Sequence, residues 1–474
     1  MVKVVLNEEK FRYDIYQIIN LYHSFQDIEF TKDEGDYYIN IDSYNIEIKG
    51  KELEKTYPIS KDVRTDIKKS VFSYFKDIMD KPLPWGTLVG IRPSKIALSM
   101  IKEGKSEEEI IEYFNEKYLV SREKAKLCID VARYEEEFVN TSKDSISVYI
   151  GMPFCPTRCV YCSFTANPIG GNKSLVKPYL DALIYEIKEI ASYIKEKNLT
   201  LQCVYFGGGT PTSVNDEDFR YLMEEIYNNL IEGKNVEEFT VECGRPDSIS
   251  IDKLKTMRDF KVHRISINPQ TMNDSTLKSI GRNHSVDLVK EVYNEARDMG
   301  FDNINMDLIV GLPGEDLSHI KKSYEEILKL KPDSLTIHGM SVKRASRLYE
   351  DICHNKTLKI PHQRELNSMY DLTKDLGKDL GMNPYYMYRQ KNMVGNMENV
   401  GYAVKGKEGI YNIQIIEERQ TIIALGADGV SKVVFLDENR IERFANVKDV
   451  REYIKRVSEM VDKKKALLST LYTS

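Results

Sequence analysis

The sequence is poor in the features that mark secreted, membrane-spanning and nucleic-acid-binding proteins. It has 7 cysteines in 474 residues, too few and too scattered for a disulfide framework. No apolar run approaches the roughly 18 residues that a membrane helix needs, and charged residues follow Met1 too early for a secretory signal. The net charge of −6 argues against a strongly basic surface for nucleic acid. We therefore expect a cytoplasmic protein that binds neither a membrane nor nucleic acid.

The composition is that of a globular protein with a sizeable core, since 41% of the residues are hydrophobic and 30% are charged. At roughly 150 residues per domain, the length predicts about three domains. Changes in the hydrophobic pattern place them at 1–144, 145–345 and 346–474.

Residues 1–144 are predicted to form an α+β module. The stretch 38–49 contains two runs that alternate apolar and polar residues, which is typical of a β-hairpin. Apolar residues recur every three or four positions over 63–78, which predicts an amphipathic helix. Ser106 and Glu109 have the spacing of a capping box, so we expect a helix to begin there.

Strand-like and helix-like runs alternate in the second segment, 145–345. Short apolar runs typical of strands occur at 146–151, 202–206, 238–243, 264–268, 304–310 and 334–338. This alternation predicts βαβ units and a parallel sheet, either as a partial (β/α)6 barrel or as an open doubly wound sheet. Both arrangements place ligands at the carboxyl ends of the strands. The third segment, 346–474, is predicted to be a mostly helical C-terminal domain.

Three cysteines follow the first of these strands: Cys155, Cys159 and Cys162, with the spacing Cys-x3-Cys-x2-Cys. Three thiolates can hold three irons of a [4Fe–4S] cube, whereas such cubes normally have four cysteine ligands. The fourth iron would be open, and an open metal position is typical of chemistry rather than scaffolding. A zinc site is the alternative, but zinc cysteines usually come in two pairs or with histidines, and no second pair exists here.

A glycine run ends the second predicted strand, in the motif Tyr205-Phe-Gly-Gly-Gly-Thr-Pro211. Residues without Cβ let the backbone approach a ligand closely, so Gly207, Gly208, Gly209 and Thr210 can hold an amino or carboxylate group. Such a run is by itself more often a tight strand-to-helix turn. Its position one strand after the cysteines makes a ligand site the more specific hypothesis.

Together the cysteine triplet and the glycine run resemble the radical S-adenosylmethionine (SAM) superfamily. The resemblance implies a partial (β/α)6 radical SAM barrel in which Cys155, Cys159 and Cys162 hold a [4Fe–4S] cluster. It implies that SAM chelates the open iron through its methionyl amine and carboxylate, and that the glycine run contacts the amine. Tyr161 would be the aromatic residue near the adenine, with a plain core tyrosine as the alternative.

A narrower resemblance covers most of the chain. Six motifs follow one another at 149–155, 206–211, 240–242, 266–270, 281–283 and 306–314. Their order resembles the oxygen-independent coproporphyrinogen III oxidase/dehydrogenase family. The stretches 85–95 and 420–432 resemble its HemZ-like subgroup.

This resemblance implies further residues of the SAM site: Tyr149, Phe164, Glu242, Gln270, Arg282 and Asp307. The side-chain chemistry of three of these residues is consistent with such a site. Glu242 could pair with the methionyl ammonium, and Arg282 could hold the methionyl carboxylate as a planar fork. Asp307, inside an apolar run, could accept hydrogen bonds from ribose hydroxyls. An internal salt bridge is the alternative for each.

The family's substrate, coproporphyrinogen III, carries four propionates, so its site should offer several cations. Lys343, Arg344 and Arg347 follow the last predicted barrel strand and are the best-placed candidates. Solvated surface charge is the alternative for each of them. Other candidate cations are Arg92, Lys95, Arg389 and Lys391.

Two positions in the cysteine loop differ from the family pattern. The characterised dehydrogenases have a histidine where this chain has Gly151, and a fourth cysteine just after the third, where it has Ser163 and Phe164. The heme-chaperone relatives have a His-Asn-x-x-Tyr-Trp motif in the C-terminal domain. The comparable stretch here, 397–402, contains no histidine.

By resemblance, we expect a radical SAM enzyme that converts propionates of coproporphyrinogen III to vinyl groups without oxygen, giving protoporphyrinogen IX. Its cofactors would be a [4Fe–4S] cluster and SAM, and a reductant such as flavodoxin or ferredoxin would supply electrons. The alternatives are a heme-binding trafficking protein and a radical SAM enzyme that opens or methylates heme.

Overall fold

The chain divides into two compact units. The first comprises Met1–Arg133, Pro361–Ser368 and Met387–Glu398, and the second comprises Tyr134–Ile360, Met369–Tyr386 and Asn399–Ser474. The predicted boundaries at 144 and 345 stay predictions. The computed structural model describes every residue except 24–26, 90–91, 163–166, 344–345, 355–358, 391–392 and 473–474, together with the side chain of Ile352.

The first unit is built on a mixed sheet with the strand order β2-β1-β3-β4-β5. The strands are β1 (Val2–Leu6), β2 (Ile28–Thr31), β3 (Tyr37–Ile41), β4 (Asn45–Gly50) and β5 (Glu54–Pro58). β3 and β4 pair antiparallel, with Ile39 opposite Ile48, which confirms the predicted hairpin. The helices of the N-terminal segment are α1 (Arg12–Tyr22), α2 (Val63–Ile78), α3 (Pro93–Lys102), α4 (Glu107–Tyr118) and α5 (Arg122–Glu135).

Local signals in the sequence place the ends of these helices. The Asp62 side chain accepts a hydrogen bond from the Thr65 amide at the start of α2, and Ser106 and Glu109 form the predicted capping box of α4. The apolar face of α2 packs with α1 against the sheet, where Ile67, Val71 and other side chains form a buried core.

The second unit contains a larger sheet, with the strand order β14-β15-β13-β12-β11-β10-β9-β6-β16-β17-β18. A short separate pair is formed by β7 and β8. The strands are β6 (Ser145–Met152), β7 (Phe154–Cys155), β8 (Asn167–Pro168), β9 (Thr200–Gly208), β10 (Glu238–Val241), β11 (Arg264–Ser266), β12 (Ile304–Val310), β13 (Ser334–Gly339), β14 (Asn383–Tyr388), β15 (Asn399–Ala403), β16 (Thr421–Leu425), β17 (Val430–Phe435) and β18 (Arg440–Ala445).

The strands from β6 to β13 decide between the two predicted arrangements. β6, β9, β10, β11, β12 and β13 are neighbours in sequence order, and every adjacent pair is parallel. A doubly wound sheet would reverse its strand order at a switch point, whereas this succession runs in one direction, as in a barrel. The α/β class and the (β/α)6 succession are therefore confirmed.

Helices alternate with these strands as the sequence predicts. They are α6 (Lys173–Glu196), α7 (Asp216–Ile226), α8 (Ile251–Asp259), α9 (Asp274–Ser279), α10 (Val286–Asp298) and α11 (Leu317–Leu330). The helices after β13 are α12 (Arg347–Cys353), α13 (Gln363–Asp379), α14 (Ile410–Glu417) and α15 (Val450–Ser469). Among the described residues, no helix combines the length and the hydropathy that crossing a membrane requires.

The C-terminal segment extends the sheet on both sides, which the sequence pattern did not predict. β15 pairs antiparallel with β13, and β16 pairs parallel with β6. Leu425 lies opposite Ile150, so the turn after β16 begins level with Gly151, at the edge of the sheet where the cysteine loop starts.

Candidate active site

The cysteine loop lies at the carboxyl end of β6. Cys155 and Cys159 are buried, Cys162 is half-buried, and all three are free thiols. Burial raises the pKa of Cys155 to about 11, and Cys162 and Cys159 act in the same direction because a second negative charge nearby is unfavourable. The structure thus brings the three predicted ligands together.

Hydrogen bonds hold this loop against neighbouring segments of the barrel. The Thr157 hydroxyl donates to the Gly281 carbonyl at 3.1 Å, and the Val160 amide donates to the Ile280 carbonyl at 3.1 Å. On the other side, the Leu348 amide donates to the Val160 carbonyl at 2.9 Å. The position of the loop is therefore set by residues nearly two hundred positions apart.

The glycine run at the end of β9 lies directly against the cysteine loop. The Gly209 amide donates to the Met152 carbonyl at 2.6 Å. The Thr210 hydroxyl donates to Cys155 Sγ at 3.4 Å. A Cβ atom on Gly209 would lie 2.6 Å from the Phe154 carbonyl oxygen and 2.9 Å from Cys155 Sγ, so only glycine fits here.

Two carboxylates approach the same edge from β10 and β12. The Glu242 carboxylate lies against Gly207, where an added Cβ would be 2.8 Å from Oε2. Burial first, and then the charge of Asp307, raise the pKa of Glu242 to about 7. Glu242 also accepts a hydrogen bond from Tyr205, which opposes that rise. The two predicted acidic residues are therefore neighbours.

Asp307 has partners that keep it ionised despite its burial. Burial raises its pKa, but hydrogen bonds from His338, Asn305 and Thr336 outweigh that effect, and the net shift is downward. Asn305 donates to Asp307 Oδ1 at 2.7 Å, and His338 Nε2 lies 3.5 Å from Oδ2. His338 is a residue that the sequence analysis missed.

Gln270 follows β11 in a left-handed backbone conformation, with φ of 68°. Its amide donates to the Asp307 carbonyl, and its carbonyl accepts from the Ile309 amide, both at 2.9 Å. These two bonds hold it beside β12. Positive φ on a residue that is not glycine is uncommon and is enriched at functional sites.

Arg282 and Tyr161 pack beside Cys159. Arg282 Nη1 donates to the carbonyls of Gly244 and Asn268, and Nη2 donates to the Tyr161 hydroxyl at 3.4 Å. Burial lowers the pKa of Arg282, but the Tyr161 hydroxyl and the Cys159 thiol outweigh it and raise the pKa. The acceptors in these bonds are two carbonyls and a hydroxyl, so none of them is the carboxylate that an internal salt bridge would require.

Tyr149 belongs to a stack of three tyrosines that the sequence analysis did not recognise. Its ring is 6.1 Å from that of Tyr205 and 6.3 Å from that of Tyr411, and Tyr205 and Tyr411 are 4.4 Å apart. The rings are close to parallel. β6 and β9 place two of them in register, but Tyr411 comes from α14, so the stack required the tertiary fold.

The predicted cations for substrate have different surroundings. Lys343 is half-buried, burial lowers its pKa, and the Cys162 thiol acts in the opposite direction, so Lys343 lies near the cysteine loop. Arg347 is exposed at the start of α12. Arg344, Lys391 and the predicted SAM-site residue Phe164 lie outside the described residues.

Arg389, another of the candidate cations, has partners within the first unit. It is buried in the first unit, where Nη1 donates to the Leu88 carbonyl at 2.6 Å and its guanidinium lies over the Trp85 ring. Nη2 donates to Asn396. Its donors hold the fold together.

The residues present fit a cubane cluster and SAM. The Gly209 cradle leaves room beside Cys155 that a Cβ would fill. Among the described residues, the buried Ser266 Oγ, Asn268 Oδ1 and Arg282 Nε have no protein partner, so this edge offers polar atoms to a ligand. In the same described part of the chain, no three His, Cys, Asp or Glu side chains converge on one metal ion. Ligands of a cube bind different irons and need not converge.

Comparisons with known proteins agree with this geometry. The model of the radical SAM superfamily matches residues 149–327. The chain is 42% identical over 392 residues to the oxygen-independent coproporphyrinogen-III oxidase-like protein HemZ of Bacillus subtilis, covering 82% of this chain and 77% of the relative. The chain belongs to the radical SAM superfamily, within the HemZ-like coproporphyrinogen oxidase family. The sequence resemblance is thus confirmed.

Relatives of the chain carry names of two different functions. The heme chaperone HemW of Bacillus subtilis is 31% identical over 314 residues, covering 66% of this chain and 76% of the relative. The solved structure of coproporphyrinogen III oxidase (HemN) from Escherichia coli has a TM-score of 0.54 and 22% identity, covering 71% of this chain and 73% of that chain. The second likeness shows the fold. The radical SAM superfamily uses a [4Fe–4S] cluster and SAM, and these are the cofactors of this HemZ-like chain.

Proposed function

We propose that the protein is a radical SAM enzyme that oxidatively decarboxylates propionates of coproporphyrinogen III to vinyl groups without oxygen. The observation that carries the proposal is the meeting of Cys155, the glycine run and Glu242 at one edge of the barrel, in a chain 42% identical to a coproporphyrinogen-III oxidase-like protein. Each converted propionate loses one hydrogen atom and CO2, and the remaining electron passes to a one-electron acceptor that the reaction needs in addition to the reductant.

In this proposal, Cys155, Cys159 and Cys162 hold the cluster, and the burial of Cys155 and Cys159 limits the access of water to it. When bound, the cluster and SAM supply the radical chemistry that removes the hydrogen atom. Thr210 donates to the Cys155 sulfur and orients that ligand. The loop donates hydrogen bonds to the carbonyls of Ile280 and Gly281 and accepts one from the Leu348 amide, and these bonds keep the three sulfurs in place.

The SAM site in this proposal uses residues on four neighbouring strand ends. Gly207, Gly208, Gly209, Thr210 and Glu242 would hold the methionyl amine, Arg282 the carboxylate, and Gln270 and Asp307 the ribose, between Tyr149 and Tyr161. The raised pKa of Glu242 supports this assignment, since hydrogen bonds from a bound amine would compensate the cost of burying the carboxylate.

Lys343 is the described cation best placed to bind a propionate. It is half-buried beside Cys162, so a carboxylate paired with it would lie close to the cluster loop. Arg347 is four positions later in the sequence and is exposed at the start of α12. Lys343 and Arg347 can each bind a carboxylate, and Lys343 lies near the proposed reacting centre. Two such cations favour a substrate that carries several propionates.

The direct test uses the full chain, reconstituted anaerobically with iron and sulfide. The protein is incubated with SAM, coproporphyrinogen III and a low-potential reductant such as flavodoxin or ferredoxin. Products are identified by mass spectrometry after oxidation to porphyrins. We expect loss of CO2 from propionates, dependent on SAM and on the cluster.

Two cysteine variants serve as controls for this test. C159S should abolish turnover, whereas C353S, which changes an exposed cysteine, should leave it intact. A reconstituted protein that cleaves SAM but yields no decarboxylated porphyrin would contradict the proposed substrate. Products of heme opening or methylation, with heme in place of coproporphyrinogen, would assign a different reaction to the same site.

A heme chaperone is the second candidate, favoured by the 31% identity to HemW. In that case the protein would bind heme tightly and turn over no coproporphyrinogen III. The stretch 397–402 contains Met397 and Asn399, both buried, and Asn399 Oδ1 accepts from the Gly339 amide at 3.0 Å. These side chains serve the fold, which favours the enzyme over heme ligation at this stretch.

A further inference from the structure

Cys159 lies beside a buried arginine that the sequence analysis did not single out. Arg245 Nη1 is 3.6 Å from Cys159 Sγ, within hydrogen-bonding distance for a sulfur acceptor. Arg245 is only 3% exposed. A buried charge is costly unless it is paired and hydrogen-bonded, so this side chain has a defined position.

Asp247 fixes the plane of the Arg245 guanidinium. Nε donates to Oδ1 at 2.9 Å and Nη2 donates to Oδ2 at 2.8 Å, which is a bidentate pair. The remaining nitrogen, Nη1, also donates to the Thr157 hydroxyl at 3.1 Å. With two nitrogens held by Asp247, Nη1 is directed at the cysteine loop.

Arg282 differs from Arg245 in how its donors are used. Its Nη1 serves the carbonyls of Gly244 and Asn268, and its Nη2 serves the Tyr161 hydroxyl. Both guanidiniums interact with the Cys159 sulfur. Arg282 is also the residue proposed to bind the SAM carboxylate, whereas Arg245 has no proposed contact with SAM. Arg245 is therefore the residue to vary.

We propose that Arg245 is a positioning residue that acts through Cys159 and makes one-electron reduction of the cluster more favourable. Reduction adds one negative charge to the cluster, supplied by a low-potential one-electron donor, and breaks no bond. A positive donor on a ligand sulfur stabilises the added charge, as hydrogen bonds to cluster sulfurs are known to do. The inference rests on the family's cluster and not on the identity of the substrate.

The test is the midpoint potential of the reconstituted full chain, measured anaerobically by dithionite titration with mediators and electron paramagnetic resonance. Neither SAM nor porphyrinogen is added, so failure of the proposed substrate leaves this test unaffected. The variants are R245Q, R245K and D247N. R220Q is the matched control, because Arg220 is an exposed arginine that pairs with Asp259.

We expect R245Q to be harder to reduce by about tenfold in the equilibrium constant, which is about 59 mV for a one-electron couple. R245K, which keeps the charge but not the fork, should shift less, and D247N should shift in the same direction. R220Q should match the wild type.

An unchanged potential in R245Q with full iron and sulfide content would overturn the proposal. If R245Q retains no cluster, the potential of D247N tests the proposal instead, because D247N keeps Arg245 and removes only the bidentate pair that orients it. An unchanged potential in D247N would then overturn the proposal as well.

Discussion

A Cβ atom on Gly207 would lie 2.8 Å from Oε2 of Glu242 and 2.8 Å from the Tyr205 ring. Gly207 and Glu242 are 35 positions apart in the sequence and lie at the ends of adjacent parallel strands. The Glu242 amide also donates a hydrogen bond to the Phe206 carbonyl there. The carboxylate can lie flat against the strand end only because Gly207 has no side chain.

The first prediction follows from this contact. In G207A the new methyl group displaces the Glu242 carboxylate and narrows the proposed site for the SAM amine. We expect SAM affinity to fall by about tenfold or more, about 1.4 kcal/mol, in equilibrium binding to the reconstituted protein. Cluster content should stay at the wild-type level, since Gly207 does not touch the cysteines.

Gly170 provides the control for G207A. A Cβ there would meet no atom within 4 Å, so G170A should bind SAM like the wild type. Equal SAM affinity in G207A and G170A would show that the Gly207–Glu242 contact does not shape the site.

The second prediction concerns cluster retention. In G209A the new methyl group would press on Cys155 Sγ and the Phe154 carbonyl. We expect G209A to bind less iron and sulfide after reconstitution, and C155S, C159S and C162S each to lose most of it. Iron and sulfide analysis with the absorption spectrum measures this.

Cys353 and Gly170 are the matched controls for these variants. Cys353 is exposed and a Cβ on Gly170 would meet no atom within 4 Å, so C353S and G170A should load a full cluster. A full cluster in C159S would mean that a residue other than Cys159 binds the iron assigned to it.

The third prediction is a pH dependence. The pKa of Glu242 is raised to about 7, from about 4.3 for an ordinary glutamate. Its protonated form therefore favours folding. The contribution of Glu242 to the free energy of unfolding is fully present at pH values below the ordinary pKa of glutamate, and it is lost as the pH rises through 7. We expect E242Q without cofactors to match the wild type in thermal unfolding near about pH 4 and to become the more stable of the two near about pH 8.

SAM binding should show the opposite preference. The ionised carboxylate accepts a hydrogen bond from the methionyl amine, so SAM affinity of the wild type should rise as the pH increases through 7. The affinity of E242Q should rise less steeply, since only the loss of a proton from the amine itself then changes with pH. E217Q, at an exposed position on α7, is the control and should follow the wild type. A pH-independent wild type would contradict the assignment of Glu242.

The fourth prediction tests a buried ion pair. Lys464 on α15 lies 2.5 Å from Glu186 on α6, with side chains 1% and 0% exposed. Removing one partner of such a pair leaves an uncompensated charge, so K464M should lower the free energy of unfolding by about 3–5 kcal/mol. Denaturant-induced unfolding of the cofactor-free protein measures it.

The neighbouring Lys463 gives the comparison. It forms an exposed pair with Glu459, so K463M should cost at most about 1 kcal/mol. In the double variant E186Q/K464M, part of the loss should return because the buried charge is gone. Equal effects of K464M and K463M would contradict a buried role for the Lys464 pair.

Short-range patterns predicted the elements well. The capping box at Ser106 and Glu109, the hairpin of β3 and β4, and the strands from β6 to β13 depend on residues close to one another in the chain. By contrast, β16 pairs with β6 across more than 270 positions, and nothing in its own residues specifies that partner.

The sequence by itself determined which residue types could serve as ligands: three cysteines at cluster spacing, a glycine run after a strand, and acidic and basic residues at strand ends. These depend on covalent spacing and on the missing Cβ of glycine. Only the tertiary structure decided the partners: Arg245 with Cys159, Asp307 with His338, and Tyr411 in the tyrosine stack. Strand register and packing fix such distances, because residues far apart in the chain meet only when the barrel brings its strand ends to one edge.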